Sequence, residues 1–169
     1  SLSMLAEDVK PNRLVRSRHE ISSFLESLTG DRVGLVAFSG EAQVMVPLTL
    51  DYGTVQMVLR ELNPGWLMPG TNLEKAIRKG MTLFKNSGGP SQHSIMVLMS
   101  DGEELEAAAV NAAKEAAEMG IKIYTIGIGS REGVPIPLKD KNGGSVYKKD
   151  MQGNIVTTRL EEGTLQEIA

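Results

Sequence analysis

Three short stretches hold the residues of this chain best suited to chemistry: Ser1-Leu2-Ser3, Pro69-Gly70-Thr71-Asn72 and Ser100-Asp101-Gly102-Glu103. Each falls where the local pattern predicts a loop leading into a helix. Together they offer hydroxyls and one carboxylate, in a chain with no cysteine and only two histidines. Oxygen-only donor sets of this kind suit hard divalent cations such as Mg²⁺ or Mn²⁺ rather than zinc or copper. The set is short of charge, because nothing ahead of Ser1 supplies a second carboxylate. Each stretch also has a plain structural reading. Ser-x-Ser ahead of a helix is a common N-cap, Thr71 would cap the helix after it, and Asp101 would cap the next one. Their order, at the same end of a parallel sheet, favours one joint site over three separate caps.

Composition narrows the class. With 169 residues, 41% hydrophobic and 23% charged, the chain suits one globular domain over 1–169 with a real core. A net charge of −3 and 4% aromatic residues argue against nucleic-acid binding, since there is no basic stripe and little surface for base stacking. The absence of cysteine excludes disulfides and thiolate metal sites but does not fix a compartment. No signal peptide and no apolar run of about 18 residues occurs, so the fragment is expected to be soluble.

Helical and strand patterns alternate in the elements that must position these residues. Leu14, Ile21, Phe24, Leu25 and Leu28 recur at helical spacing behind Pro11 and stop at Thr29-Gly30-Asp31. The runs 33–38 and 42–47 read as strands joined in a hairpin by Ser39-Gly40-Glu41. A helix over 54–62 with Asp51 as its cap follows, and Asn63-Pro64-Gly65 breaks it. Another helix carries Leu73, Ala76, Ile77, Gly80, Met81 and Phe84. The apolar run 94–100 predicts a central parallel strand covered on both faces. An alanine-rich helix over about 105–119 and a strand over 122–128 complete a βαβ unit, with Asp101 at the carboxyl end of its first strand. Beyond Gly129, the stretches 145–149 and 154–158 predict a small appended β-hairpin. A last helix starts at Glu161, where Thr164 and Glu167 have capping-box spacing. The expected architecture is α/β: a Rossmann-like open, mostly parallel sheet with helices on both faces and an antiparallel edge hairpin.

Further residues extend this pattern: Ser1-Leu2-Ser3-Met4, the run Asp8 to Leu14, Asp31 to Gly40, Pro47-Leu48-Thr49 with Asp51-Tyr52, Gly70-Thr71, Ser100 to Glu103, and Leu165 to Ala169. In this order they resemble a von Willebrand factor A (VWA) domain of the bacterial aerotolerance-associated, BatA/BatB-like branch. That family's metal-ion-dependent adhesion site uses an Asp-x-Ser-x-Ser loop, a threonine and a second aspartate. The resemblance assigns Ser1 and Ser3 to the serines, Thr71 to the threonine and Asp101 to the last aspartate. The leading aspartate and the central strand before it are missing, so the resemblance implies a domain fragment cut at both ends, with weak or absent Mg²⁺ binding and a gap in its sheet. It further implies a non-enzymatic protein-binding module whose partner contributes an acidic residue to the cation. Its parent would be anchored in the inner membrane, with this domain periplasmic, in contact with other VWA proteins and a MoxR-type ATPase. Met4, Trp66, Met68 and Glu103 are candidates for specificity by position.

Other chemistry has less support. In Gly127-Ile128-Gly129-Ser130-Arg131-Glu132-Gly133 the third glycine is misplaced for a dinucleotide loop, and Pro135 and Pro137 follow where its helix should begin. His19 and His93 have no partner at triad or metal spacing. A phosphorylated or phosphatase aspartate at Asp101, with Glu7 and Asp8 as its acidic cluster, is the enzymatic alternative, and a metal-free structural domain is the other. Glu103, Glu104 and Glu106 suit a solvated first helical turn, and the nine methionines suit adaptable core filler.

Overall fold

Helix α1 (Arg13–Ser27) starts at Asn12, whose side chain accepts the Val15 N–H. Strands β1 (Val33–Phe38) and β2 (Ala42–Thr49) form the antiparallel hairpin, with register shifts between Val33 and Val36. Helix α2 (Tyr52–Glu61) is capped by Asp51, which accepts the Thr54 N–H, as the sequence predicts. Helix α3 (Leu73–Asn86) precedes β3 (Ile95–Ser100); α4 (Ala107–Glu118) and β4 (Lys122–Gly127) follow. β3 and β4 pair in parallel from Ile95 opposite Lys122 to Ser100 opposite Gly127. The computed structural model describes residues 1–90, 93–103, 107–140 and 143–169. The expected helical role of Glu104 and Glu106, and the expected helix start at Leu105, lie outside them.

Helices lie on both sides, and two apolar clusters hold the layers together. Leu25 of α1 meets Val46 of β2 and Val55 of α2, with Ile21, Val33 and Leu35 around them. The larger cluster joins Leu73, Ile77 and Met81 of α3 to Leu98 and Ile123 of the parallel pair and to Ala109, Ala112, Ala113 and Ala116 of α4. The alanines explain the geometry, because a methyl-only face lets α3 and α4 approach closely.

The sheet is discontinuous among the described residues. β1 pairs with β2 and β3 with β4, and no ladder joins β1 to β3 among the described residues. The expectation that β3 is covered on both faces is corrected. Met96 and Leu98 face the larger cluster, whereas Ile95, Val97, Tyr124 and Ile126 remain 43–54% exposed on the opposite face. Alternation along paired strands puts these four on one side. Helix α1 does not cover them, because its apolar side is spent on α2 and the β1–β2 hairpin.

The region after Gly129 is also rearranged. Among the described residues the arms of the expected hairpin meet through the bridge Lys149 to Ile155. Otherwise they pair with the proline-rich stretch: β5 (Val134–Pro135) with β8 (Thr157–Thr158), and β6 (Pro137–Lys139) with β7 (Ser145–Tyr147). Proline lacks an N–H yet keeps its carbonyl, so such a stretch can still lie along a short edge. Helix α5 (Glu162–Ile168) has Glu161 as its N-cap without a side-chain cap bond, and Thr164 is buried inside the helix, which removes the expected capping box. Met81 is core, but Met57, Met68 and Met151 are exposed, so the filler role holds for only part of the methionine set.

Candidate functional site

Ser1 precedes a 3-10 turn over Leu2–Leu5 that contains Ser3, and Ser3 Oγ donates to Ser1 Oγ at 2.9 Å. The Ser3 N–H also reaches Ser1 Oγ, at 3.4 Å, so Ser1 does serve as a cap. Ser3 is buried. The cap uses Ser1 as an acceptor and brings both hydroxyls to one point. Burial lowers the pKa of the Ser1 amino group, and the opposing influence is the charge of Asp101.

Thr71 is buried at the entrance to α3, yet it is not the cap of that helix. Asn72 holds that position and accepts the Lys75 N–H at 2.8 Å. No hydrogen bond engages the Thr71 hydroxyl among the described residues. Its loop is braced on the β1–β2 turn: Ser39 Oγ donates to the Gly70 carbonyl at 2.8 Å, and the Asn72 N–H to the Ser39 carbonyl at 2.8 Å. Gly70 has φ of 128° and lies so close to Gly40 that a Cβ would stand 3.1 Å from the Gly40 Cα. A second 3-10 turn, Pro64–Trp66, precedes this loop and touches the Ser1–Ser3 turn. Trp66 and Met68 are exposed there, whereas Met4 and Glu103 are half-buried.

Asp101 is buried where β3 ends. Arg13 Nη1 donates to its Oδ2 at 3.1 Å, and no hydrogen bond reaches Oδ1 among the described residues. Arg13 was not among the sequence candidates, and it ties the whole region together. Its Nε and Nη2 bond Asp8 at 2.9 and 2.8 Å, and Nη1 also donates to Thr158 Oγ1 at 2.9 Å. Asp8 in turn accepts the Ser130 N–H at 2.6 Å. Burial alone would raise the Asp8 carboxyl, but the bonds from Arg13 and Ser130 outweigh it and hold the pKa down to about 2. Gly129, with φ of 136°, makes room: a Cβ there would stand 2.7 Å from Arg13 Cζ. The loop that imitates a dinucleotide motif is therefore a seat for a guanidinium. A signal for this was present in the sequence. Arginine at the first position of a helix opposes the helix dipole, so Arg13 required carboxylates close by.

The donors present fit a hard cation in kind: paired hydroxyls and, among the described residues, a threonine hydroxyl and one carboxylate oxygen that no hydrogen bond engages. They are few, and no group of three or more acidic, histidine or cysteine side chains assembles among the described residues. Of the acidic cluster that the phosphoryl-transfer alternative calls for, Glu7 is exposed and Asp8 is committed to Arg13, which also bonds Asp101.

Residues 1–104 match the family model of the von Willebrand factor type A domain. The chain belongs to the VWA family. The VWA fold here superimposes on the crystal structure of the conserved hypothetical protein BatB from Bacteroides thetaiotaomicron with a TM-score of 0.91, at 39% identity over all of this chain and 80% of that one. An aerotolerance-related membrane protein from Bacteroides fragilis gives a TM-score of 0.91 at 36% identity, over all of this chain and 82% of that one. Among curated relatives, a UPF0353 protein of Mycolicibacterium vanbaalenii is 30% identical over 83% of this chain and 48% of its own. The VWA chain thus spans about half the length of the curated relatives it matches. A remoter likeness, in fold alone, is mussel-byssus proximal thread matrix protein 1, with a TM-score of 0.60 and 19% identity over 69% of this chain and 33% of that one, in a structure described as having a zinc-occupied MIDAS motif. These likenesses establish the BatB-like VWA character that the motifs imply. No described helix is long and apolar enough to cross a membrane.

Proposed function

We propose that this domain is a non-enzymatic protein-interaction module that engages a carboxylate of its partner through a divalent cation, Mg²⁺ or Mn²⁺, held by Ser1, Ser3, Thr71 and Asp101. The observation that carries this reading is buried Asp101, whose Oδ2 is held by Arg13 while Oδ1 has no hydrogen-bond partner among the described residues. In this reading Ser1 and Ser3 present their oxygens from the 3-10 turn. Thr71 adds a hydroxyl from the braced loop, and Asp101 supplies the negative charge. A bound divalent cation supplies a Lewis-acidic position for an anionic oxygen, and with so few protein carboxylates around it an acidic side chain of the partner is a favoured addition. Trp66 and Met68 are exposed beside the loop and would contact the partner around that carboxylate.

The setting of the whole protein belongs to the same proposal: membrane anchorage with this domain on the periplasmic side, among other VWA proteins and a MoxR-type ATPase. Likeness to a protein described as an aerotolerance-related membrane protein supports the anchorage. The test is Mn²⁺ titration of the chain and of its Asp101→Ala variant, with hydrolysis of a generic phosphate ester assayed in parallel. Saturable binding that is lost with Asp101, without turnover, is the expected result. Turnover dependent on Asp101 would replace the binding role with phosphoryl transfer, and absence of binding to the folded chain would remove the cation mechanism.

A further inference from the structure

The cation reading uses one oxygen of Asp101; the other accepts from Arg13, which Asp8, Gly129 and Thr158 hold in turn. Arg13 is completely buried, and its two carboxylate partners are 4% exposed at Asp8 and 2% at Asp101. Its donors are directed rather than merely neutralised: Nε and Nη2 form a fork on Asp8, Nη1 is shared between Asp101 and Thr158 Oγ1, and Nη2 also reaches the Thr158 carbonyl at 3.5 Å. A guanidinium is planar, so fixing two edges of the fork fixes the third. The arginine plane rests against Gly129, and Asp8 is fixed again by the Ser130 N–H. Nothing in this cage can rotate independently, so Oδ2 of Asp101 is pinned.

We infer that Arg13 is a positioning residue for the cation site, holding Oδ2 of Asp101 so that Oδ1 is presented as the donor, while Asp8 cancels the guanidinium charge. The charge count is the core of the argument. With Arg13 and Asp101 alone, the pair would be neutral and the guanidinium would repel a cation a few ångströms away. With Asp8 included, two carboxylates face one guanidinium, and a whole negative charge is left for Asp101 to offer. A purely structural staple would need only the neutral pair. The inference rests on the proposed cation site, and its test separates the two.

The experiment is Mn²⁺ titration followed by electron paramagnetic resonance, with water-proton relaxation measured per bound Mn²⁺, on the chain and on Asp101→Asn, Arg13→Lys and Asp8→Asn, each checked by circular dichroism. The expected result is that Asp101→Asn abolishes binding. Arg13→Lys and Asp8→Asn should each weaken it by about tenfold or more, the usual effect of losing a group that orients a metal ligand. Relaxation per bound ion should rise in Arg13→Lys, because water enters where Oδ1 is no longer presented. If Arg13→Lys fails to fold, Asp8→Asn decides alone, since it changes charge without changing shape. Unchanged affinity in the folded variants, beside an Asp101→Asn that has lost binding, overturns the positioning role and leaves the cation site standing. Unchanged binding in Asp101→Asn overturns both.

Discussion

Two arginines of this chain each stand between two carboxylates, one at the protein surface and one inside. Arg78 on α3 bonds Glu74 at 2.7 Å, one turn away, and Glu115 of α4 at 2.8 and 2.9 Å, with its side chain 44% exposed. Arg13 makes the same kind of contacts with no exposure at all. The hydrogen bonds are alike in length, so the difference lies in the alternative each group faces if its partner is removed. Arg78 would turn to water at little cost. Arg13 would be left as a buried charge without compensation. The surface triad joins α3 to α4, whereas the buried one joins the start of α1 to the ends of β3 and β4 and to β8.

The largest test of this contrast is Arg13→Met. It leaves two buried carboxylates without their cation and is expected to destabilise the fold by about 3–5 kcal/mol, read from urea denaturation. A loss no greater than that of a surface residue would break the comparison. Gly129→Ala attacks the same cage from its other side. It forces a side chain into a positive-φ position already filled by Arg13 and should cost about 1–3 kcal/mol from backbone strain alone. Asn72→Ala is a calibration of ordinary local effects, at about 1 kcal/mol for a lost cap. The variant should leave the Arg13 cage intact.

Acid sharpens the comparison further. Asp8 has its pKa held at about 2 in the folded state, below the ordinary value near 3.8. The unfolded chain therefore takes up this proton first as pH falls. The stabilisation from Asp8 is complete above about pH 4 and is lost as pH drops toward about 2. Glu115 is also lowered, chiefly by its bond from Arg78, so its contribution has the same sign. The two separate by salt: the exposed contribution should vanish at high ionic strength and the buried one should persist. Asp8→Asn should abolish the salt-resistant part of the acid transition. The smallest effect is expected for Arg78→Ala, a shift in thermal midpoint close to the resolution of the measurement.

Much of the fold was legible because it rests on local rules. Caps at Asp51 and the hairpin at Ser39-Gly40-Glu41 follow from short-range chemistry, and the alanine face of α4 from helical periodicity. The run 94–100 was legible as a strand but not as one with an open face, because periodicity reports apolarity and not which neighbour arrives to cover it. The proline-rich stretch after Gly129 misled for a related reason. A turn signal at Asp150-Met151-Gln152-Gly153 marks where the chain reverses, while the pairing of the arms depends on a segment ten or more residues earlier.

The candidate site divides in the same way. The sequence by itself determined the donor types, the cap role of Ser1 and the family that the order of motifs implies. It also held the clue of an arginine at the start of a helix, where the dipole disfavours it. Only the tertiary structure decided where that arginine points. Asp101 lies 88 positions from Arg13, and Thr158 lies 145 away, so no local pattern could pair them. Burying a charge is favourable only when its partners arrive together, and that condition is met only by the assembled ends of α1, β3, β4 and β8.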